Sequence, residues 1–172
     1  MTGERIRSSM EAATTYLTEH PDEARYTDSV ATATLIDGLR VRVDGPDGES
    51  LATDMPTSVG GGGEAPSPGW LFRAALASCE ATLIAMRAAA QGVELRRLEV
   101  TVDSESDDRG VLGIDEAIPA GPLGIGVRVR IEASDTHANG LREIVEWGLH
   151  HCPVEDAARR AVPVKFEIET GT

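Results

Sequence analysis

Apolar and polar positions alternate with a period of two in several stretches of the chain. Leu39, Val41 and Val43 alternate with Arg40 and Arg42, and Leu98, Val100 and Val102 with Arg97, Glu99 and Thr101. Ile125, Val127, Val129 and Ile131 alternate with Gly126, Arg128 and Arg130. Val162, Val164, Phe166 and Ile168 read as a final strand, apolar inward, with Lys165, Glu167 and Glu169 outward. That period marks strands with one buried face. Val30 to Leu35 and Glu49 to Asp54 read as two weaker strands, and Gly45-Pro46-Asp47-Gly48 supplies a turn. Elsewhere the period is helical. Ile6, Met10, Ala13 and Leu17 predict a short amphipathic helix over 4–18, ended by Pro21. Leu141, Ile144, Val145 and Leu149 predict a buried face on a helix over about 139–150, and Pro153 opens a further helical turn through Arg160.

One stretch follows neither pattern. Residues 67–92 are apolar on almost every side and read as a single long helix. Ser67 suits the N-cap, Pro68 the first helical position and Gly92 a left-handed stop. Such a helix is a rod of roughly 36 Å. From Trp70 to Ala90 its only charges are Arg73, Glu80 and Arg87, seven residues apart and therefore on one stripe. That arrangement predicts a central helix, buried except where the charged stripe meets water. Cys79 lies off the stripe among Phe72, Ala75, Leu76, Thr82, Leu83 and Met86, which predicts a thiol facing an apolar slot.

In chain order these are three strands, the long helix, two strands, two helices and a strand. The pattern predicts an α+β fold, with helices covering one face of antiparallel sheets. Residues 1–27 read as an N-terminal helical extension and 28–170 as one domain. A polar loop is expected from Asp103 to Pro122, and a glycine-rich connector spans Gly60 to Gly63.

Composition narrows the function. The chain has 172 residues and a net charge of −13. An acidic surface disfavours nucleic acid and anionic membrane as partners. The N-terminus has no apolar signal core, and Arg73, Glu80 and Arg87 interrupt the best spanning candidate. The expectation is a cytoplasmic protein. Two cysteines at this length do not make a disulfide scaffold.

The candidate chemistry is sparse. Asp103, Glu105 and Asp107 match the first three ligand positions of an EF-hand, but Asp108 and Ile114 replace the required Gly and Glu. Gly60 to Gly63 lacks the Lys-Ser/Thr of a phosphate loop. His150, His151 and Cys152 are consecutive, so their side chains diverge on a helix, a poor zinc set. A Cys-His hydrolase would also need an oxyanion hole that no motif supplies. No metal or cofactor is implied, and His20 and His137 read as surface residues. Cys79 by itself reads as a small buried hydrophobe. Cys152 precedes Pro153 at a helix start, where the dipole favours a thiolate and Glu155 and Asp156 oppose it.

Two motifs carry a family resemblance. Pro-Ser-Pro-Gly-Trp-Leu-Phe-Arg-Ala-Ala-Leu-Ala-Ser-Cys at 66–79 resembles the helix motif of the OsmC/Ohr family, in which Asn/Ser-Pro opens a long helix and Ala-Ala-x-x-x-Cys carries the reactive thiol. His-Cys-Pro-Val at 151–154 resembles that family's Cys-Pro-Val motif. The resemblance covers about 28–170. It implies an OsmC-like fold, with antiparallel sheets around a long central buried helix, in an intertwined homodimer. It also implies a thiol-dependent peroxidase with Cys79 and Cys152 as catalytic residues. Cys79 would become a sulfenic acid on attacking an organic hydroperoxide, Cys152 would condense with it to a disulfide, and a dithiol reductant, often a lipoyl protein, would reset the pair. The family's peroxidases usually carry Glu after the opening Pro to orient an activating Arg. Gly69 stands at that position here, and Arg40 and Arg42 are the candidates for the arginine. The alternative reading is a non-enzymatic dimer of the same fold that binds a small hydrophobic ligand and keeps inert cysteines.

Overall fold

The computed structural model describes residues 3–171; Met1, Thr2 and Thr172 lie outside the described residues. The chain forms helix α1 (Gly3–Glu19), strands β1 (Thr32–Asp37), β2 (Arg40–Asp44) and β3 (Ser50–Thr53), helix α2 (Pro68–Ala90) and strand β4 (Leu95–Glu105). Then come helix α3 (Asp108–Val111), strand β5 (Gly124–Ala133) and helices α4 (Ala138–His150) and α5 (Pro153–Arg159). The fold is α+β with two antiparallel sheets, β1-β2-β3 and β4-β5.

Helix α2 begins and ends where its sequence dictates. Ser67 Oγ accepts from the Trp70 N–H at 3.2 Å, which satisfies one of the free donors of the first turn. At the other end Gly92 takes φ +71°. Its N–H donates to the Ala89 carbonyl at 3.0 Å and that of Val93 to Ala88 at 2.8 Å, closing the last turn.

The core lies around the second half of α2. Ile84 and Ala88 meet Ile144 of α4, and Leu98, Val100, Val129 and Ile131 of the long hairpin pack against them. The β4-β5 register explains why these residues share a face: Leu98 pairs with Ile131 and Val100 with Val129. The intervening Glu99–Arg130 pair faces away and forms an ion pair of 3.2 Å. α2 therefore packs against both this hairpin and α4, and α4 also meets β5. The approach of α4 is very close, because a Cβ at Gly148 would lie 2.5 Å from Ile84 Cγ1 and 2.8 Å from the Ile84 backbone N.

Three expectations are corrected. The final strand over 162–168 does not form: this segment has no regular structure and pairs with no strand, and Phe166 and Ile168 are 83% and 85% exposed. Its alternation is real, but neither sheet of the chain offers it a bonded place. The polar loop after β4 is shorter than expected, because β4 runs on to Glu105 and α3 forms with Asp107 as its N-cap, accepting from the Arg109 N–H at 3.0 Å. The charged stripe of α2 is not the wetted one. Leu76, Glu80, Ile84 and Ala88, spaced four apart, are buried, while Ala75, Ser78 and Thr82 are exposed.

Helix α1 runs over the expected residues, with only Ile6 and Met10 half-buried, and packs against α2. Its first turn lines an open groove of about 780 Å³ with Ala85, Ala88 and Ala89 of α2.

Because α4 has no room to retreat from Ile84, Gly148→Ala is expected to cost about 1–3 kcal/mol, the usual penalty of overpacking a tight contact. Urea unfolding followed by circular dichroism reads this as a lower midpoint with an unchanged slope.

Candidate thiol site

The site forms where α5 meets α2. Cys152 closes α4 and caps α5: its Sγ accepts from the Glu155 N–H at 3.4 Å. Pro153 takes the first helical position, where its missing N–H costs nothing. The thiol is 1% exposed. Burial first pushes it up, and the nearby Cys79 thiol adds to that against the opposing Glu155 N–H, to about 11. Two cysteines 73 positions apart in sequence thus share one place in the fold. The expectation that the helix start favours a thiolate at Cys152 fails here, because desolvation outweighs the N-cap.

Cys79 is half-buried rather than sunk in a slot. On its inner side lies buried Leu76, with Phe72, Leu83 and Met86 half-buried, and on its outer side are exposed Ala75 and Thr82. Both cysteines are free thiols.

Neither candidate arginine bonds a thiol among the described residues. Arg40 Nη1 donates to Glu64 at 2.6 Å and Arg42 Nε to Asp44 at 2.8 Å. Arg73 Nη1 donates to Ser104 Oγ at 3.2 Å. Gly69 sits in the first turn of α2, and a Cβ there would come within 3.9 Å of Arg73 Nη1. The glycine-rich connector is ordered by Asp54, whose carboxylate accepts from the N–H groups of Met55 (2.7 Å), Gly62 (3.1 Å) and Glu64 (3.1 Å). The Glu64 N–H leads these in holding Asp54 below the usual carboxylate range.

The histidines do not converge. His151 stacks on Trp147 at 4.1 Å and its Nδ1–H donates to the Trp147 carbonyl at 2.7 Å, while Arg87 lies 5.0 Å from the same indole centroid. His150 meets His151 edge-on. His20 stacks on Tyr16 and His137 is exposed at the start of α4. Among the described residues no three His, Cys, Asp or Glu side chains are grouped to hold a metal ion.

Sequence reasoning missed the role of Glu80 in the interior. Glu80 follows Cys79 directly, is wholly buried, and neither carboxylate oxygen has a hydrogen-bond partner. Burial first, and the charge of Glu155 second, raise it to about 7, with Arg159 acting in the opposite sense. Glu155 pairs with Arg159 through Oε1 at 2.5 Å, and its Oε2 is buried and unpartnered as well. The sequence did contain the signal: Glu80 lies midway on the Leu76–Ile84–Ala88 line, four residues from each neighbour, so it belongs to the apolar face.

The raised carboxyl makes stability depend on pH in a defined window. Between its ordinary value of 4.5 and about 7 the folded chain keeps a proton that the unfolded chain has released. Stability is therefore fully present below 4.5 and falls by about 3 kcal/mol as pH rises through that window. Glu80→Gln, neutral at every pH, is expected to remove this slope, read from urea midpoints at pH 4.5 and 7.5.

Comparison with known proteins agrees with this architecture. No curated relative matches the sequence. An organic hydroperoxide resistance protein from Legionella pneumophila, described also as a predicted redox protein, superposes with a TM-score of 0.58 at 25% identity, covering 78% of this chain and 91% of that one. An OsmC-like protein from Mycoplasma pneumoniae is similar with a TM-score of 0.65 at 15% identity, covering 78% and 89%. The organic hydroperoxide resistance protein OhrB of Bacillus subtilis has a TM-score of 0.52 at 24% identity, covering 83% and 98%. The family model described as OsmC-like protein matches residues 61–167, a span that holds both cysteines and all of α2, and the chain therefore belongs to the OsmC family.

Proposed function

We propose that this protein is a thiol-dependent peroxidase that reduces organic hydroperoxides, with Cys79 as nucleophile and Cys152 as resolving thiol. The observation that carries the reading is the convergence of these two distant thiols, close enough for one to shift the other. The hydroperoxide-resistance names of similar structures support the substrate class. The Cys79 thiolate attacks the peroxide's outer oxygen, the O–O bond breaks, and the alcohol leaves. The resulting sulfenic acid meets Cys152, an S–S bond forms, and water departs. A dithiol, for which a lipoyl protein is the candidate, then reduces the disulfide by exchange. Phe72, Leu83 and Met86 beside Cys79 suit an alkyl substituent better than hydrogen peroxide alone. Free cysteines fit a cytoplasmic setting. The activity is assigned to residues 28–170, with 1–27 as an extension.

The same reading makes the working unit an intertwined homodimer. The support is surface chemistry: Val164, Phe166 and Ile168 form an exposed, unpaired apolar row, and Leu35 and Ile36 of β1 are exposed too. A second copy would give the C-terminal row the strand partner that its own chain lacks.

Two observations favour the non-enzymatic alternative, an OsmC-like dimer that binds a small hydrophobic ligand. Gly69 leaves the first turn of α2 without the family's acid, and burial holds Cys152 in the thiol form. Turnover decides between them. With cumene hydroperoxide and dihydrolipoamide, the wild type is expected to turn over. Cys79→Ser is expected to abolish turnover, and Cys152→Ser to accumulate a Cys79 sulfenate that dimedone traps. An unchanged rate in Cys79→Ser ends the enzyme reading. For the assembly, Phe166→Asp is expected to shift the protein from twice its 18.2 kDa chain mass to a single chain in sedimentation.

A further inference from the structure

A thiol as deeply buried as Cys152 cannot attack until it loses its proton, and no solvent reaches it to take that proton. The residues around it offer few acceptors. The Glu155 N–H donates to its sulfur and cannot accept. His151 is exposed, stacked on Trp147, and has committed its Nδ1–H to the Trp147 carbonyl. Glu155 is anchored through Oε1 to Arg159. Glu80 has both oxygens free, is wholly enclosed, follows Cys79 directly on α2, and feels the charges of Glu155 and Arg159 of α5, the helix that Cys152 caps. Its oxygens are enclosed within one chain, so a second copy cannot partner them.

A carboxyl buried without hydrogen bonds is costly, and native proteins keep few of them. A hydrophobic residue on the Leu76–Ile84 line would pack more favourably. We infer that Glu80 is the proton acceptor that enables Cys152 to attack Cys79. This deepens the peroxidase reading and rests on it for the peroxide step. In that step the Glu80 carboxylate takes the proton of the Cys152 thiol, and the thiolate attacks the sulfur of the Cys79 sulfenic acid. The S–S bond forms as the S–O bond breaks, and the departing hydroxide takes the proton back from Glu80 to leave as water. Carboxylate and proton are both returned, so the step consumes nothing.

No hydrogen bond joins Glu80 to a thiol at rest. Catalytic hydrogen bonds are often long before reaction and tighten during it. With its carboxyl near 7, Glu80 is substantially ionised at neutral pH and stands closer in proton affinity to the thiol, at about 11, than an ordinary carboxylate would. The charges that act on Glu80 come from Glu155 and Arg159 of α5. α4 faces α2 with Ile144 and Gly148, and on α2 itself Arg73 and Arg87 are two turns away, toward Ser104 and Trp147.

The test does not need peroxide. 2,2′-Dithiodipyridine forms a mixed disulfide at half-exposed Cys79, releasing one thiopyridone; attack by Cys152 releases a second, whose leaving group needs no proton from the protein. In the wild type the second release is expected to rise through pH about 7 and then level. In Glu80→Gln it is expected to be about 100-fold slower at pH 8 and to lose that inflection, with partial recovery in Glu80→Asp. Dimedone trapping of the Cys79 sulfenate formed by cumene hydroperoxide is expected to increase in Glu80→Gln, as in Cys152→Ser, because the sulfenate forms normally and is resolved slowly. A second release with no inflection near pH 7 in the wild type overturns the proposal even if the variants fail to fold. So does an unchanged rate in Glu80→Gln, or no second release at all. If the second release depends on Glu80 but no peroxide yields a sulfenate, the proton-acceptor role stands and the peroxidase reading falls.

Discussion

Contact between Ile84 and Gly148 is the constraint on which the thiol geometry depends. Where α4 rests on α2 there is no side chain on one helix and a fully buried isoleucine on the other, so the spacing between them is set by backbone. Cys152 follows Gly148 by four residues, one helical turn. Whatever fixes the height of α4 over α2 therefore fixes the height of Cys152 over Cys79. Interiors this dense transmit displacement instead of absorbing it. The capped ends of α2 complete the arrangement, because Ser67 and Gly92 leave that helix no freedom to lengthen or slide out of register.

The α2 face toward α4 and α5 carries both packing and charge. Leu76, Ile84 and Ala88 are ordinary core residues, and Glu80 stands among them with no partner. Arg87, whose Nε is also buried and unpartnered, offsets part of a similar cost by laying its guanidinium over Trp147. The outward row of Ala75, Ser78 and Thr82 has short side chains that present little bulk. The long helix is thus apolar on its inner face apart from one carboxyl, Glu80, and short-chained outside.

Much of this was legible from residue order. Period-two alternation located β2, β4 and β5, and the cap residues placed both ends of α2. The two cysteine motifs identified the family that the match over 61–167 establishes. What failed did so for definite reasons. Three charges on one stripe look like a solvated face, since the pattern alone does not show that α4, α5 and β4 all close over it. The alternation at 162–168 correctly marks strand-forming chemistry, yet a strand exists only when something pairs with it, and pairing is not encoded in period. At Cys152 the helix start was read correctly and its consequence was not, because local dipole and global burial compete and only the fold reveals the depth of burial.

The exposed C-terminal row has one further consequence. Stacked on copies of itself in parallel register, the segment would place Glu167 on Glu167, Glu169 on Glu169 and Lys165 on Lys165 at intervals of about 4.8 Å. Like charges at that spacing repel along the whole length of a fibril. Pro163 removes another rung from such a ladder. The segment can accept a single foreign strand of different sequence on its apolar side, but these interleaved charges oppose an unlimited pile of its own kind.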